Sequence, residues 1–439
     1  MNYRMIPAVA LAAAGCGGPP GPVNSASNLV QERTGCTVPE DPSAAVAGPV
    51  AELMSHPLTA DSAVRVALLN NRDLSAMLEQ VGVSKADYQI AGQIKNPSFY
   101  IDFRPPDRRP PAGVDIEAAL SVDVLDILLL PVRKGLAKQE LDRSAVTAAD
   151  AALQLVHDVR VGFYTLVADG KSADSLEAAA TAVDTARDFA RRQHDAGNIT
   201  DREWAERQAD AAEAKLEAMR ARLQVEVDRA SLNRLMGLSG SQTHWTAADD
   251  LPPIPAVDPA DADTVDTAMK RRLDAESADR NVAIAQSGLD LTRKGVLTSV
   301  SVGASMERET DKQTVIGPSL GVDVPIFNQH QGEVARAEAE VRIAGAERQA
   351  MRSRVESEVT AALARVRAAR AAAELADTVL VPQRQAVIDA ATAQYNGMLV
   401  GIFDLLSARE KKLSADRESI AARLAYWTAR AELDRSVGR

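Results

Sequence analysis

Leu120-Ser121-Val122-Asp123-Val124 and Leu320-Gly321-Val322-Asp323-Val324 lie 200 residues apart. The same offset carries Val159, Phe163 and Leu166 onto Val359, Leu363 and Val366, and Gly197 onto Gly397. Separated matches at one spacing mark an internal duplication, which has to be recognised before any element is assigned. The chain therefore reads as two structural repeats, 58–240 and 262–437. A linker over 241–261 joins them and contains Asp249-Asp250-Leu251-Pro252-Pro253-Ile254-Pro255.

Each repeat reads as helix, β-hairpin, long helix, short tip, helix. In the first, a helix is expected over Ala60–Gly92, capped by Thr59 or Asp61. A hairpin over 98–125 follows, because Phe99, Ile101 and Phe103 alternate with polar residues, as do Val114, Ile116, Ala118, Leu120, Val122 and Val124. Pro105-Pro106-Asp107-Arg108-Arg109-Pro110-Pro111 separates the two runs. The second repeat has the same pattern over 297–326, with Val300, Val302, Ala304 and Met306, then Ile316, Leu320, Val322 and Val324. Strands of about ten residues suit a tilted membrane crossing. They also suit half-buried hairpins of a soluble α+β protein.

Long helices are expected over 131–195 and 331–396, with tips at 196–201 and 397–401 before the returning helices. About 64 residues at a rise of 1.5 Å make each close to 100 Å long. Val355, Val359, Ala362, Val366, Ala369 and Ala373 form a heptad stripe, so partner helices wind around it. Four strands cannot close a barrel, since the smallest membrane barrels use about eight. An open edge in lipid leaves backbone groups unpaired. Membrane strands here therefore require several copies to share one barrel.

Composition narrows the classes. In 439 residues, 50 Lys and Arg against 61 Asp and Glu leave a net charge of −11, which argues against a nucleic-acid partner. Two Cys exclude a disulfide scaffold, and aromatic residues are only 3 %. The five His are scattered, and no HExxH, phosphate loop or GxSxG occurs, so no enzyme chemistry, metal site or cofactor is expected.

The amino terminus reads as an export signal over 1–16: Arg4, then a short apolar and small-residue run to Gly15. Ala13-Ala14-Gly15-Cys16 resembles the bacterial lipobox, with Ala13 where Leu is preferred. That resemblance implies a lipid anchor on Cys16; an ordinary cleaved signal with a chance Cys is the other reading. A Pro-, Gly- and Ser-rich tether is expected over 17–57, with Cys36 in it without visible role.

Two further stretches carry a family resemblance. They are Gly317-Pro318-Ser319-Leu320-Gly321-Val322-Asp323-Val324-Pro325-Ile326-Phe327-Asn328 and the tip segment Tyr395-Asn396-Gly397-Met398-Leu399-Val400-Gly401-Ile402-Phe403-Asp404-Leu405-Leu406-Ser407-Ala408-Arg409-Glu410. With the duplication, they resemble the TolC-type outer-membrane efflux channels over about Leu58 to Arg435. The resemblance implies a mainly α fold with a small β part. A long coiled-coil α-helical barrel would carry a membrane β-barrel of four strands per chain, 12 in a homotrimer. It implies an iris at the tips, with Thr200 and Asp201 meeting Tyr395 across helices and Asp404 forming a carboxylate ring in the pore. Gly197 and Gly397 read plainly as helix C-caps with positive φ, and by resemblance as docking points for a periplasmic adaptor. Val400 and Ser407 depart from the basic and acidic residues of other members.

Asp158-Val159-Arg160-Val161-Gly162-Phe163-Tyr164-Thr165-Leu166 and Asp195-Ala196-Gly197-Asn198-Ile199-Thr200 are similar to the cobalt-zinc-cadmium efflux branch. That similarity implies an outer-membrane exit duct working with an adaptor (membrane fusion protein) and an inner-membrane RND pump. Its cargo would be heavy-metal cations, copper included. The alternatives are a multidrug or type I secretion duct of the same fold, or a soluble periplasmic coiled-coil scaffold.

Overall fold

The computed structural model describes residues 26–36, 47–105, 114–248, 250–257, 265–295, 299–309 and 313–439. Cys16 and the export signal lie outside them. The helices are α1 (Ala26–Thr34), α2 (Ala47–Met54), α3 (Ala60–Asn70), α4 (Arg72–Ala91), α5 (Val124–Asp195) and α6 (Asp201–Leu235) in the first half. In the second they are α7 (Val265–Arg271), α8 (Leu273–Lys294), α9 (Gln331–Leu375), a π-turn (Ala376–Leu380), α10 (Val381–Asn396) and α11 (Ile402–Ser436). Strands β1 (Ser98–Arg104), β2 (Asp115–Asp123), β3 (Val300–Arg308) and β4 (Thr314–Val322) form one antiparallel sheet in the order β1-β2-β3-β4.

The expected α-dominant architecture with a small four-stranded sheet is present. The sheet joins the two repeats, because β2 pairs β3 from Ile116↔Arg308 to Asp123↔Ser301. β1 and β4 are left as edges. The long helices leave the sheet directly. α5 begins at Val124 rather than at 131, since the Asp123 carboxylate accepts the Asp126 N–H at 3.1 Å and starts the helix seven residues early. Pro131 therefore lies inside it.

The helix expected over Ala60–Gly92 is two helices. The break is made by side chains that reach the far end of α6. Asn71 Oδ1 caps α4 through the Leu74 N–H at 2.8 Å, while Asn71 Nδ2 donates to the Leu235 carbonyl at 2.8 Å. Asn70 Nδ2 donates to the Gly237 carbonyl at 2.8 Å. Gly237, at φ 67°, lies so close that a Cβ there would stand 2.3 Å from the Asn70 oxygen. The second repeat makes the same joint with other chemistry. Buried Arg272, between α7 and α8, donates to the Ser436 carbonyl at the end of α11 at 3.3 Å, and to Asp274 and Glu358.

The tether over 17–57 is partly folded. Val30 of α1 is 1 % exposed and belongs to the main core. The Arg33 guanidinium holds the carbonyls of Arg271 and Gly438, so α1 clasps the end of α7 and the residues just after α11. Two cores lie at this level. One gathers α1–α3, the middle of α5 and the end of α6 around Val66, Val159, Phe163 and Leu232. The other sets Val355, Val359, Ala362 and Val366 of α9 against Tyr426 and Leu433 of α11. The heptad stripe of α9 thus finds its partner within the chain. The linker crosses α11 and α9, with Trp427 Nε1 donating to the Pro252 carbonyl at 2.9 Å and Arg370 Nη2 to that of Ala256 at 2.9 Å.

Candidate functional site: the two-faced sheet and the helical tips

The register sorts the sheet residues by face. Phe99 opposes Leu120, Ile101 opposes Ala118 and Phe103 opposes Ile116. The first two rows continue through Ala304 and Met306 on β3 to Pro318 and Ile316 on β4, a further row joins Val122, Val302 and Leu320, and the Phe103 row ends at Arg308 and Thr314 beside the loop ends of the hairpins. One face is therefore apolar almost throughout, and it lies open, with Phe99, Ile101, Phe103, Leu120, Ile316 and Leu320 all exposed. The opposite face carries Asp102, Arg104, Glu117, Ser121, Ser301, Gly303, Ser305, Glu307, Gly317 and Ser319. On it Asp102 opposes Glu117, which opposes Glu307, so three carboxylates stand in one row. Like charges in directly opposed positions repel. Arg104 relieves part of this by donating to Asp102 at 2.9 Å and Glu117 at 3.1 Å. Alternation was legible in the sequence, whereas the carboxylate row depends on a β2–β3 register that only the structure supplies.

No helix among the described residues is long and apolar enough to cross a membrane. Among the described residues no group of three His, Cys, Asp or Glu side chains converges as a metal centre.

At the far end of the long helices, both tips close by the same hydrogen bonds. The Gly197 N–H donates to the His194 carbonyl and the Asn198 N–H to that of Gln193, each at 2.8 Å. The Met398 N–H donates to the Tyr395 carbonyl and the Leu399 N–H to that of Gln394, each at 2.9 Å. This is the Schellman arrangement, which sets its next-to-last residue left-handed. Gly197 takes that position at φ 74°, as expected. Gly397 does not; its φ is −80°, and Met398 takes the left-handed position at φ 58°. A side chain there costs about 1 kcal/mol or more. Met398 is also 93 % exposed.

The helices that leave the tips are capped unequally. Thr200 Oγ1 accepts the Glu203 N–H at 3.3 Å and Glu203 Oε2 accepts the Thr200 N–H at 2.8 Å, a reciprocal capping box. The bonds from Thr200 hold the Glu203 carboxyl below its ordinary pKa. In the second tip, Asp404 Oδ2 accepts the Gly401 N–H at 3.1 Å, and Gly401 returns no side-chain acceptor.

Asp201 Oδ1 lies 2.8 Å from His194 Nε2, and the His194 ring stacks on Trp204 with centroids 6.0 Å apart. Among the described residues, the side-chain hydrogen bonds of Thr200 and Asp201 go to Glu203 and His194 and none to Tyr395. Among the described residues, Phe403 makes a contact between the two tip regions of the chain. Its ring lies 6.3 Å from that of Phe189, and the Arg207 guanidinium sits 4.5 Å above it. Phe403 stood in the quoted tip motif, but nothing in the sequence paired it with α5 and α6. Further along, Asp169 on α5 is pushed up to about 6, first by burial and then by the Asp228 carboxyl of α6.

Comparison with known proteins bears on these features. Residues 265–439 match the family model described as outer membrane efflux protein. No curated protein sequence matches the chain. Solved structures of the same shape include a membrane protein from Pseudomonas aeruginosa, 18 % identical, with a TM-score of 0.73 over 86 % of this chain and 92 % of that one. CusC, described in terms of folding and transmembrane channel formation, is 14 % identical, with a TM-score of 0.71 over 86 % of this chain and 92 % of its own. The outer membrane protein VceC from Vibrio cholerae is 16 % identical, with a TM-score of 0.69 over 86 % and 96 %. Residues 265–439 thus match the outer membrane efflux protein model, and the chain shares its overall fold with these solved membrane proteins.

Proposed function

We propose that the protein is the outer-membrane exit duct of a proton-driven tripartite efflux system, assembled as a homotrimer. The observation that carries this reading is the sheet with one open apolar face, one polar face and two unpaired edges. An apolar face suits lipid and a polar face suits a water-filled lumen. Free edges are expensive in lipid, and three copies pairing β4 to β1 remove them.

The helices support the same assembly. Leu216, Met219, Leu223 and Val227 form an exposed stripe on α6 at spacings of three and four. Exposed Ile343, Leu375, Val379 and Val387 lie along α9, the π-turn and α10. Each α6 stripe would cover the α9–α10 stripe of the next copy and close a helical tube into the periplasm. Thr200, Asp201, Tyr395 and Asp404 would line its narrow end. Gly197 and Gly397 would meet the periplasmic adaptor, which links the tube to an inner-membrane RND pump. A cleaved signal and acylated Cys16 would deliver and tether the chain. No catalytic step is involved.

For the cargo we favour heavy-metal cations such as cobalt, zinc, cadmium or copper over drugs. The row of Asp102, Glu117 and Glu307 would repeat three times in the lumen and favour cations. The test has two parts. Detergent-extracted protein imaged by electron microscopy is expected to form trimeric tubes. Leu223→Arg sets a charge into a stripe whose residue is 65 % exposed in the single chain, and is expected to leave mostly monomers. A trimeric Leu223→Arg protein would remove α6 from the interface, and a monomeric wild type would overturn the duct. Cargo is read from a deletion strain: metal sensitivity that the wild-type chain relieves supports metal export, and drug sensitivity alone replaces it with the multidrug reading.

A further inference from the structure

The two repeats keep an offset of 200 residues down most of their long helices. Ala173 and Ala373 are both buried. Glu177 and Asp377 each receive an arginine from the returning helix, Arg222 and Arg423 respectively. Those arginines, however, are 201 apart, and so are the left-handed tip residues Gly197 and Met398. One residue has therefore been added between Asp377 and Met398. The π-turn Ala376–Leu380 lies there, with the Val381 N–H reaching back five residues to the Ala376 carbonyl. A π-turn absorbs one extra residue without changing the faces on either side. Pro382 follows and supplies no amide hydrogen to the turn before it. At the matching level α5 runs on as uninterrupted α-helix to Asp195.

We propose that the π-turn and Pro382 are a hinge in the second arm, and that Asp377 is its latch. Asp377 Oδ1 accepts the Ser419 hydroxyl. Its Oδ2 accepts Arg423 Nε at 2.9 Å and lies 2.8 Å from Arg423 Nη2, so the turn is tied to α11 by a charge-assisted clamp. On the sheet side of the hinge, α9 is anchored by buried Val355, Val359, Ala362, Val366 and Ala373. On the tip side, α10 buries no residue within its own chain. The anchored half stays while the arm from Val381 to the second tip pivots. The contact such a pivot makes and breaks is Phe403 against Phe189 and Arg207. The weaker cap and left-handed Met398 of the second tip belong to the moving arm. That the pivot opens the tube rests on the exit-duct reading.

Hydrogen exchange of the full-length, detergent-solubilised protein tests the hinge itself. Amides of 374–384 are expected to exchange at least tenfold faster than those of 173–183. Deleting Thr378 restores α-helical bonding in unchanged register and is expected to abolish that difference. Asp377→Asn is expected to widen it several-fold, with exchange around Val359 unmoved. Equal exchange of the two segments in the wild type, or a difference that survives the deletion, overturns the hinge. Should the deletion variant fail to fold, Pro382→Ala is expected to narrow the difference instead, and no narrowing counts against the hinge. Planar-bilayer recordings test the gating. The deletion is expected to lower the conductance and Asp377→Asn to raise spontaneous opening; altered exchange with unaltered conductance in both variants overturns gating at this point. A wild type that does not conduct overturns the duct reading, and the hinge is then decided by exchange alone.

Discussion

Ile101→Arg is expected to remove the protein from the outer membrane, while Ser305→Arg leaves it there. The two positions lie at mid-strand on opposite faces of one sheet. Ile101 opposes Ala118 in the apolar rows, and Ser305 opposes Ala119 and Gly317 on the polar face. An arginine on the lipid face of a membrane barrel costs about 2–4 kcal/mol at the midplane. Three copies in one barrel bring this to about 6–12 kcal/mol, against a total stability of about 5–15 kcal/mol for a typical domain. At about 1.4 kcal/mol per factor of ten, the loss exceeds a thousandfold in the folding equilibrium. An arginine at 305 points into water instead, and Gly317 beside it leaves open space. The measurement is the share of protein recovered in the outer-membrane fraction, with heat-resistant trimer as a second readout. Equal recovery of both variants would mean that the apolar face does not meet lipid, and the sheet would then be a docking surface in water.

The parts of this fold that were legible in the sequence share one property: their cause is local. Alternation over Phe99–Phe103 and Val300–Met306 predicts strands because each side chain faces one side at a period of two. Thr59 caps α3 through a capping box with Ser62, three residues away. What stayed illegible has its cause far along the chain. The break at Asn70 and Asn71 exists because their amides satisfy carbonyls at 235–237. The folding of Ala26–Thr34 depends on a groove beside α5 and on carbonyls of Arg271 and Gly438. Gly397 caps α10 as the sequence implies, but its positive φ is displaced, for a different reason. The match of Gly197 with Gly397 assumed one constant offset, and the residue added in the π-turn moved the left-handed position on to Met398. The tip residues named from the sequence are all at the tips, but the neighbours of Asp201 and Phe403 are decided by helix packing.

Arg272→Ala is expected to destabilise each chain by about 3 kcal/mol at neutral pH, because removing one partner strands the buried charges it served. Arg272 is 5 % exposed and donates to Asp274 at 2.9 Å and 2.6 Å, to Glu358 and to the Ser436 carbonyl. Asn71 holds the corresponding joint of the first repeat with a neutral amide, so the joint does not require an ion pair. A charged answer therefore carries a charged liability. Burial alone would raise the pKa of Asp274; the hydrogen bonds and charge of Arg272, with Arg435 beyond, outweigh it and hold the carboxyl below its ordinary value. A carboxylate with a depressed pKa contributes stability above its unfolded value, near pH 4, and loses it as pH falls through the folded value. Without Arg272, burial is no longer outweighed, and Asp274 prefers to be protonated. The penalty of Arg272→Ala is then largest at neutral pH and shrinks as the solution is acidified toward pH 4. Asp274→Asn in the Arg272→Ala background is expected to recover about half of the loss at neutral pH, since it removes the more buried of the two stranded carboxylates. Urea unfolding of the detergent-solubilised chain at pH 4 and pH 7.5 measures both effects. A penalty that is the same at the two pH values would assign the role of Arg272 to packing and to its bond with the Ser436 carbonyl rather than to its charge.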